Sequence, residues 1–479
     1  PAMATALTNA LLFSTDSFVK DVAANAIKTI LANDPLPVTV FVEDNTAPVV
    51  GAWTIDLNQR LITLNVSEIV DLNSVQPQLI TLSTEQATRL DDTSLQLTSA
   101  RLFLENSTRH TLVVGFSESD RFTALTRGVC QQPQACFLTW EHTYARGDIS
   151  LPIALDFAGN IMDDIPVERS LQVSRWLPDT IAPLITNSTL DLDRGRVTLF
   201  FTEGVNLTSF SGQALHLTGA AASAVFVPQD NGQAVQPRFD AIEWTMSARD
   251  LNSLKLDKTC GFPDAAPCRA LLAANPVVPL IADMVGNAIS SPANFSIDQT
   301  LPDTTAPAQL EIALWNMTSG ELAISANEPL EAPSNFTVSL FVDVQRNCPC
   351  ATVPVRLAPN QRAQTVLGQI DTDSLNNIKA LGGLCTTNGN CHVVLPADVL
   401  EDVSGNTNTA TDTPPLSPVH FVRDEAAPVL LSAAVNVTSL QLHLQFDEPV
   451  QGFSPTAIIV LGCQDPSQAT SCPQHQLQG

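Results

Sequence analysis

The stretch LPDTIAP at residues 177–183 returns as LPDTTAP at residues 301–307, and EDNTAPVV from Glu43 and RDEAAPVL from Arg423 follow the same template, with Ala-Pro three residues after the aspartate. Proline fixes its own φ and has no N–H to give to a sheet ladder, so each copy must end one structure and begin another. From Asp44 to Asp179 is 135 residues, from Asp179 to Asp303 is 124, and from Asp303 to Asp424 is 121. Units of that length are whole domains, far larger than solenoid repeats. A second signal keeps the same phase. LDFAGN, ADMVGN and EDVSGN, with a weaker KDVAAN, place Asp156, Asp283, Asp402 and Asp21 at 23, 20, 22 and 23 residues before the next boundary aspartate.

This phase divides the chain into residues 1–43, the end of one unit; complete units at 44–178, 179–302 and 303–423; and residues 424–479, the start of another. The expectation is a window on a longer protein.

Within each unit, a segment leading to a glutamate alternates apolar residues: Ile62, Leu64, Val66; Val197, Leu199, Phe201; Leu322, Ile324, Ala326; and Leu442, Leu444, Phe446. That is the period of a half-buried strand. Proline and glycine recur too often for long helices. Units of about this length built of strands predict an all-β fold, a tandem series of immunoglobulin-like β-sandwich domains.

The net charge of −26, from 49 acidic against 23 basic side chains, argues against nucleic acid and against anionic membrane surfaces, since both need basic patches. The apolar run from Ala270 to Ala282 is broken by Asn275, Pro276 and Pro279, so this segment is not expected to insert in a membrane. Eight cysteines fall in close pairs across turn-forming residues: Cys130 and Cys136, Cys260 and Cys268, Cys385 and Cys391, Cys463 and Cys472. Local disulfides and an oxidising compartment are expected. Zinc would need Cys-x-x-Cys pairs or histidines at fixed offsets, which are lacking. For Cys348 and Cys350 a bridge across two residues looks strained, pairing with another segment or chain is the alternative, and the pairing stays open. Sequons at Asn65, Asn106, Asn187, Asn206, Asn294, Asn316, Asn335 and Asn436 agree with secretion and N-linked glycans.

The repeated acids are the constellation with chemical promise. Glu68, Glu203, Glu328 and Glu448 follow their boundary aspartates by 24, 24, 25 and 24 residues, with the parity of the inward apolar row. An inward carboxylate needs a partner. Sandwich topology brings Asp44, Glu68 and Asp156 to one pole, and likewise Asp179, Glu203, Asp283 and Asp303, Glu328, Asp402. Such groups could hold calcium, which takes hard oxygen ligands. The plainer reading has the aspartates accepting backbone N–H bonds in turns and the glutamate capping a loop. No Gly-x-Ser-x-Gly, His-Glu-x-x-His or phosphate-binding glycine loop occurs, so an enzyme is not expected.

The order Asp-x-x-Ala-Pro, then a strand closing as in FDEPV at 446–450, then Asp-x-x-Gly-Asn resembles the bacterial-type Ig-like (Big/cadherin-like) repeats of large surface proteins. SEIV, TEGV and NEPL depart from that strand ending, so the likeness is to a broad superfamily. With the sequons, the small cysteine loops and the Ala-, Thr- and Pro-rich texture, the chain also resembles green-algal ciliary hair (mastigoneme) proteins. These resemblances imply a non-enzymatic structural repeat region of a secreted glycoprotein at the cell or cilium surface. It would build a filament or stalk with copies of itself or another filament subunit. The competing reading is a cell-surface adhesin whose repeats bind a glycan or protein partner.

Overall fold

The computed structural model describes residues 7–86, 93–103, 110–145, 148–219, 225–257, 260, 268–272, 279–289, 294–331, 335–348, 350–359, 361–462 and 472–476. The chain is all-β in architecture, a tandem series of immunoglobulin-like sandwiches.

The first complete unit has two sheets. One orders its strands 175–177, 50–56, 61–66, 111–115, 101–102, and the other 171–172, 137–139, 81–83, 94–96. The second unit repeats this with 233–238, 241–245, 196–201, 185–191, 299–301 facing 225–226, 215–218, 269–272, 294–296. In the third, an eight-stranded sheet encloses the core. In each unit the last strand runs parallel to the first: Leu177 pairs with Asp56, Leu301 with Asp191 and Val422 with Asn316. In the first two units the proline of LPD follows directly and stops the ladder at the next aspartate; after Val422 the residue before Asp424 is Arg423.

Alternation in the sequence becomes burial. Ile62, Leu64 and Val66 are buried, as are Val197, Leu199 and Phe201, and Leu322 and Ile324, while Ala326 is half-buried. Leu442, Leu444 and Phe446 keep the parity but are only half-buried. Three separate cores result. Trp53 and Ile62 of one sheet meet Leu82 and Leu138 of the other; Leu199 and Trp244 meet Leu217 and Ala270; Ile324 and Val338 gather round Trp315. The indole N–H groups of Trp53, Trp140 and Trp244 donate to the carbonyls of Leu171, Asp163 and Asn231 at 2.8, 3.1 and 2.7 Å. Each buried ring therefore leaves no orphan donor.

One feature of each unit departs from the strand reading. A nine-residue helix crosses the same position in all three: α1 (Glu118–Thr126), α2 (Ala248–Leu256) and α3 (Thr372–Ala380). The sequence of each opens on a capping residue. Ser117, Ser247 and Asp371 accept from the backbone N–H of the third helical residue, which satisfies one of the helix's unpaired donors. The acid at that third position then fastens α1 and α2 to their own unit. Asp120 accepts from the Thr98 hydroxyl and from the backbone N–H groups of Thr98 and Ser99, and Asp250 from those of Gln229 and Asp230. Ala124 and Leu125, Leu254, and Leu375 and Ile378 enter the cores beneath.

Just past each helix a disulfide ties down the exit: Cys130–Cys136, Cys260–Cys268 and Cys385–Cys391, with Cα atoms 4.2, 4.9 and 4.2 Å apart. Cys463 lies outside the described residues, and with it the pairing of Cys463 and Cys472. Cys348 and Cys350 are bridged to each other, which settles the pairing the sequence left open. The turn between strands 335–341 and 350–357 brings them within reach, with Cα atoms 4.5 Å apart.

The Asp-x-x-Gly-Asn signal is a turn closed by its own aspartate. Oδ1 of Asp156, Asp283 and Asp402 accepts from the backbone N–H of Asn160, Asn287 and Asn406 at 2.8, 2.8 and 2.9 Å, and Oδ2 from the same asparagine's amide at 2.7, 2.8 and 2.8 Å. The glycine sits at φ of 94°, 98° and 90° at residues 159, 286 and 405, where an L side chain is strained. KDVAAN makes the same turn round Asp21 with Ala24 at φ 66°. No atom lies within 4 Å of a Cβ added at Gly286, so Gly286→Ala tests backbone strain alone. It is expected to destabilise its unit by about 1 kcal/mol, and Ala24→Gly to relieve a similar strain, both read by chemical denaturation.

Candidate functional site

The same asparagine carries the turn to the unit boundary. Besides its own aspartate, the side-chain amide of Asn160, Asn287 and Asn406 donates to the backbone carbonyl of Asp44, Asp179 and Asp303 at 3.0, 3.2 and 3.2 Å. Strand pairing brings in the glutamate: Val70 bridges Asp156, Val205 bridges Asp283, and Leu330 pairs with Asp402. The outcome is three acid clusters, Asp44–Glu68–Asp156, Asp179–Glu203–Asp283 and Asp303–Glu328–Asp402, in each of which one carboxylate oxygen per residue lies within 4.8 Å of the others. The structure thus brings together all nine of the acids singled out in the sequence.

Turn geometry neutralises only part of this charge. Asp156, Asp283 and Asp402 take their N–H bonds locally, as the plainer reading has it, but in the second and third clusters the boundary aspartate and the glutamate are buried together. There the compensating cation is a side chain of the preceding unit's helix. Arg121 of α1 donates Nη1 to Asp179 Oδ2 at 2.5 Å and Nη2 to Glu203 Oε2. Lys255 of α2 sets Nζ 2.6 Å from both Asp303 Oδ2 and Glu328 Oε2. At the boundary of residues 424–479, Lys379 of α3 lies 2.9 Å from Asp424 Oδ2 and 2.6 Å from Glu448 Oε2. These three junctions hold an ammonium or guanidinium group between the two acids.

These basic residues carry no fixed spacing in sequence: Arg121, Lys255 and Lys379 precede their aspartates by 58, 48 and 45 residues. The helix restores the equivalence. Arg121 is the fourth residue of α1, whereas Lys255 and Lys379 are the eighth of α2 and α3. Positions four apart share one helix face, so all three chains leave the same stripe. One signal could have located the helices that carry them, the cap patterns SESD, SARD and DTDS.

Neighbouring contacts fasten each helix to its socket. Glu118 bridges Arg121 to the backbone N–H of Gly204 at 3.0 Å. Phe122 packs on Phe239 with centroids 5.7 Å apart. A Cβ at Gly204 would meet the Phe122 ring at 2.4 Å, so glycine is what lets the helix approach. At the later junctions a helix amide replaces the ring: Asn252 donates to the carbonyl of Asn327 at 3.0 Å, and Asn376 to that of Asp447 at 2.7 Å. Other contacts cross the boundary beside them. Met284, in the Asp283 turn, packs against the first unit's core, and Asp193 accepts from the backbone N–H groups of Thr304 and Thr305.

Burial pushes Asp179 up despite Arg121, and pushes Glu203 up to about 7. Asp303 and Glu328 are raised for the same reason against the pull of Lys255. Burial acts to lower the pKa of Lys255, but its hydrogen bonds to Asp303 and Glu328 win, and it stays above its ordinary range. The directions agree once the charges are counted: one cation faces more acid than it can neutralise, so it is held firmly charged while the acids resist ionising.

The first cluster differs. Asp44 is exposed and Glu68 half-buried, and Glu68 Oε1 is enclosed without a hydrogen-bond partner. Burial, then Asp44 and Asp156, raise the Glu68 carboxyl against a smaller pull from His110. Among the described residues no lysine or arginine pairs with it.

Of the sequons, Asn65, Asn187, Asn335 and Asn436 are exposed, while Asn206 and Asn316 are half-buried. Asn206, Asn316 and Asn436 each accept backbone N–H bonds in turns. Asn294 lies in a strand, and Asn106 is outside the described residues.

No family model and no curated protein matches this chain. Among solved structures it is similar to the S-layer protein rSbsC(31-844), at 10% identity, 81% of this chain, 42% of that chain and a TM-score of 0.18. It is also similar to chicken CNTN1 FN1-FN3 domains, at 10%, 78%, 99% and 0.19, and to a tetra-tandem repeat in the extending region of a large adhesion protein, at 12%, 84%, 86% and 0.17. The chain spans about two fifths of that S-layer protein. Scores this low carry no argument, and the fold reading rests on the sheets themselves.

Two outcomes are expected at the junctions. Lys255→Met strands buried carboxylates and should destabilise the third unit by about 3–5 kcal/mol, with part of the loss recovered by adding Glu328→Met; denaturant titration followed by hydrogen exchange reads both. For pH, the native Glu203 carboxyl lies above its ordinary value of 4.5, at about 7. Its contribution is therefore fully present below pH 4.5 and is lost as pH rises through 7. Melting of the second unit should fall over that window, and Glu203→Gln should flatten the decline.

Proposed function

We propose that this chain is a structural region of an extracellular protein, in which tandem sandwiches are locked in series to make a stiff spacer. The observation that carries the reading is the repeated clamp: in three consecutive junctions a helix of one unit places a basic side chain between two acids of the next. A flexible string of domains has no use for an ion-pair clamp at successive boundaries, least of all the buried ones at Asp179–Glu203 and Asp303–Glu328. Disulfides and exposed sequons support an extracellular setting, and no described helix is long and apolar enough to cross a membrane.

The boundaries at Asp44, Asp179, Asp303 and Asp424 are the divisions this reading uses. Its finer form is a subunit of an extracellular filament, of the kind that ciliary hairs exemplify, with glycans on the exposed asparagines and copies of the chain or another filament subunit as partners. A cell-surface adhesin is the alternative, and electron microscopy of native material separates them by filaments against isolated molecules. The clamp itself is tested on Arg121→Met/Lys255→Met/Lys379→Met. Small-angle scattering should show a narrow, extended distribution of dimensions for the parent and a broader, more compact one for the variant, with each unit's near-UV signal kept. Equal distributions would remove the clamp as the source of stiffness.

A further inference from the structure

The first acid cluster stands apart from its three counterparts, and the difference is one of occupancy. At Asp179–Glu203, Asp303–Glu328 and Asp424–Glu448 a helix-borne cation sits between the boundary aspartate and the glutamate. At Asp44–Glu68 the same two acids stand over the same closed turn, Asp156 to Asn160, tied to the Asp44 carbonyl by the same asparagine bond. Glu68 Oε1 is enclosed with no hydrogen-bond partner. Beside it Ile69 is exposed, at 39%, where its counterparts Gly204 and Pro329 are buried. The carbonyl of Ser67, immediately before Glu68, corresponds to those of Asn327 and Asp447, which receive the helix amides of Asn252 and Asn376.

We propose that the face formed by Asp44, Glu68 and Ser67 is a docking socket for the capped helix of another unit of this same kind. That helix would bring an arginine at its fourth position or a lysine at its eighth. The inference rests on the clamp reading above and extends it to an interaction surface. Charge complementarity selects the occupant: two acids over a third need a cation. A bare ammonium or guanidinium would leave Ile69 uncovered, whereas a seated helix buries its counterparts Gly204 and Pro329, the first of them beneath Phe122. The helices α1, α2 and α3 are each engaged by their own following boundary, so the occupant is a further unit of the array, presenting its helix as α2 presents Lys255 to Asp303.

The test keeps the whole chain and inserts a second copy of residues 179–302 between Glu43 and Asp44, so that the copied α2 stands before Asp44 as the original stands before Asp303. Hydrogen exchange over residues 61–72 reads the socket. Protection there should rise relative to the parent chain, and Lys255→Met in the copy should lower it about tenfold, a usual size for residues of one charged network. In the Asp44→Asn/Glu68→Gln background the same change should have little effect.

The original junction supplies the control through Lys255→Met with and without Asp303→Asn/Glu328→Gln. Coupling at the original junction with none at Asp44–Glu68 would overturn the socket and leave the clamp standing. No coupling at either would remove both. Calcium is the remaining occupant. A rise in melting temperature of the unmodified chain with calcium, abolished by Asp44→Asn/Glu68→Gln, would make the cluster a metal site and overturn the proposal.

Discussion

A single positive charge between two carboxylates is the interaction on which each junction turns, with both acids buried at Asp179–Glu203 and Asp303–Glu328. Taking Asp303 and Glu328 out of water is costly, and the cost is offset by the ammonium that Lys255 places 2.6 Å from an oxygen of each. No residue of the third unit supplies that cation. The surface that receives it is therefore energetically incomplete by itself and becomes complete only when the neighbour's helix is seated. A buried ion pair adds little net stability compared with an apolar contact of the same size. What it adds is discrimination, because a displaced or rotated neighbour leaves charge stranded in a dry place, whereas an apolar contact tolerates sliding.

For a cation to arrive in the right place the helix beneath it must be rigid, and the sequence spends several residues on that. The cap fixes the start of each helix, the acid at the third position ties α1 and α2 to a loop of their own unit, and the disulfide closes the exit within a few residues of the last turn. Loops of this size constrain the unfolded chain modestly, by about 2 kcal/mol or slightly more each. Their greater effect here is to fix where the helix points. On the receiving side, the Asp-x-x-Gly-Asn turn holds the boundary aspartate through its carbonyl and leaves the carboxylate free to meet the neighbour. Proline before the aspartate prevents the strand from running on, which would carry the acid away from the pole where Glu203 or Glu328 waits.

Much of this was written in residues that repeat. The alternation from Leu61 to Val66 gave the inward row, and parity then put Glu68, Glu203 and Glu328 on the core side. The fixed intervals to the boundary aspartates placed the acids at one pole. The helices were not legible in the same way. Nine residues make too short a window for a 3.6 period to stand out, and the intervals from Arg121, Lys255 and Lys379 to their aspartates differ. Helical geometry makes positions four apart equivalent, so the repeat lay in three dimensions while the linear spacing hid it. The calcium expectation arose from the same blind spot, since convergent acids with no visible partner invite a metal. The bridge between Cys348 and Cys350 stayed undecided because spacing alone says nothing about how sharply the chain turns between two strands.

The choice of cation follows from where on the helix it starts. Arg121 leaves α1 one turn nearer the N-terminus than Lys255 leaves α2, and its longer, forked side chain reaches both acids with separate nitrogens while a third contact goes to Glu118. Lysine offers a compact point charge and must sit midway between its two acceptors, which Lys255 does at 2.6 Å from each. The two solutions are not interchangeable at a fixed backbone. At the Arg-type junction Phe122 packs over Gly204, and at the Lys-type junctions a helix amide meets a backbone carbonyl, as Asn252 does with Asn327. The clamp of each unit reaches no further than the unit that follows it. Cooperativity along the array is then a matter of nearest neighbours, with each junction adding its own term and no single junction governing the rest.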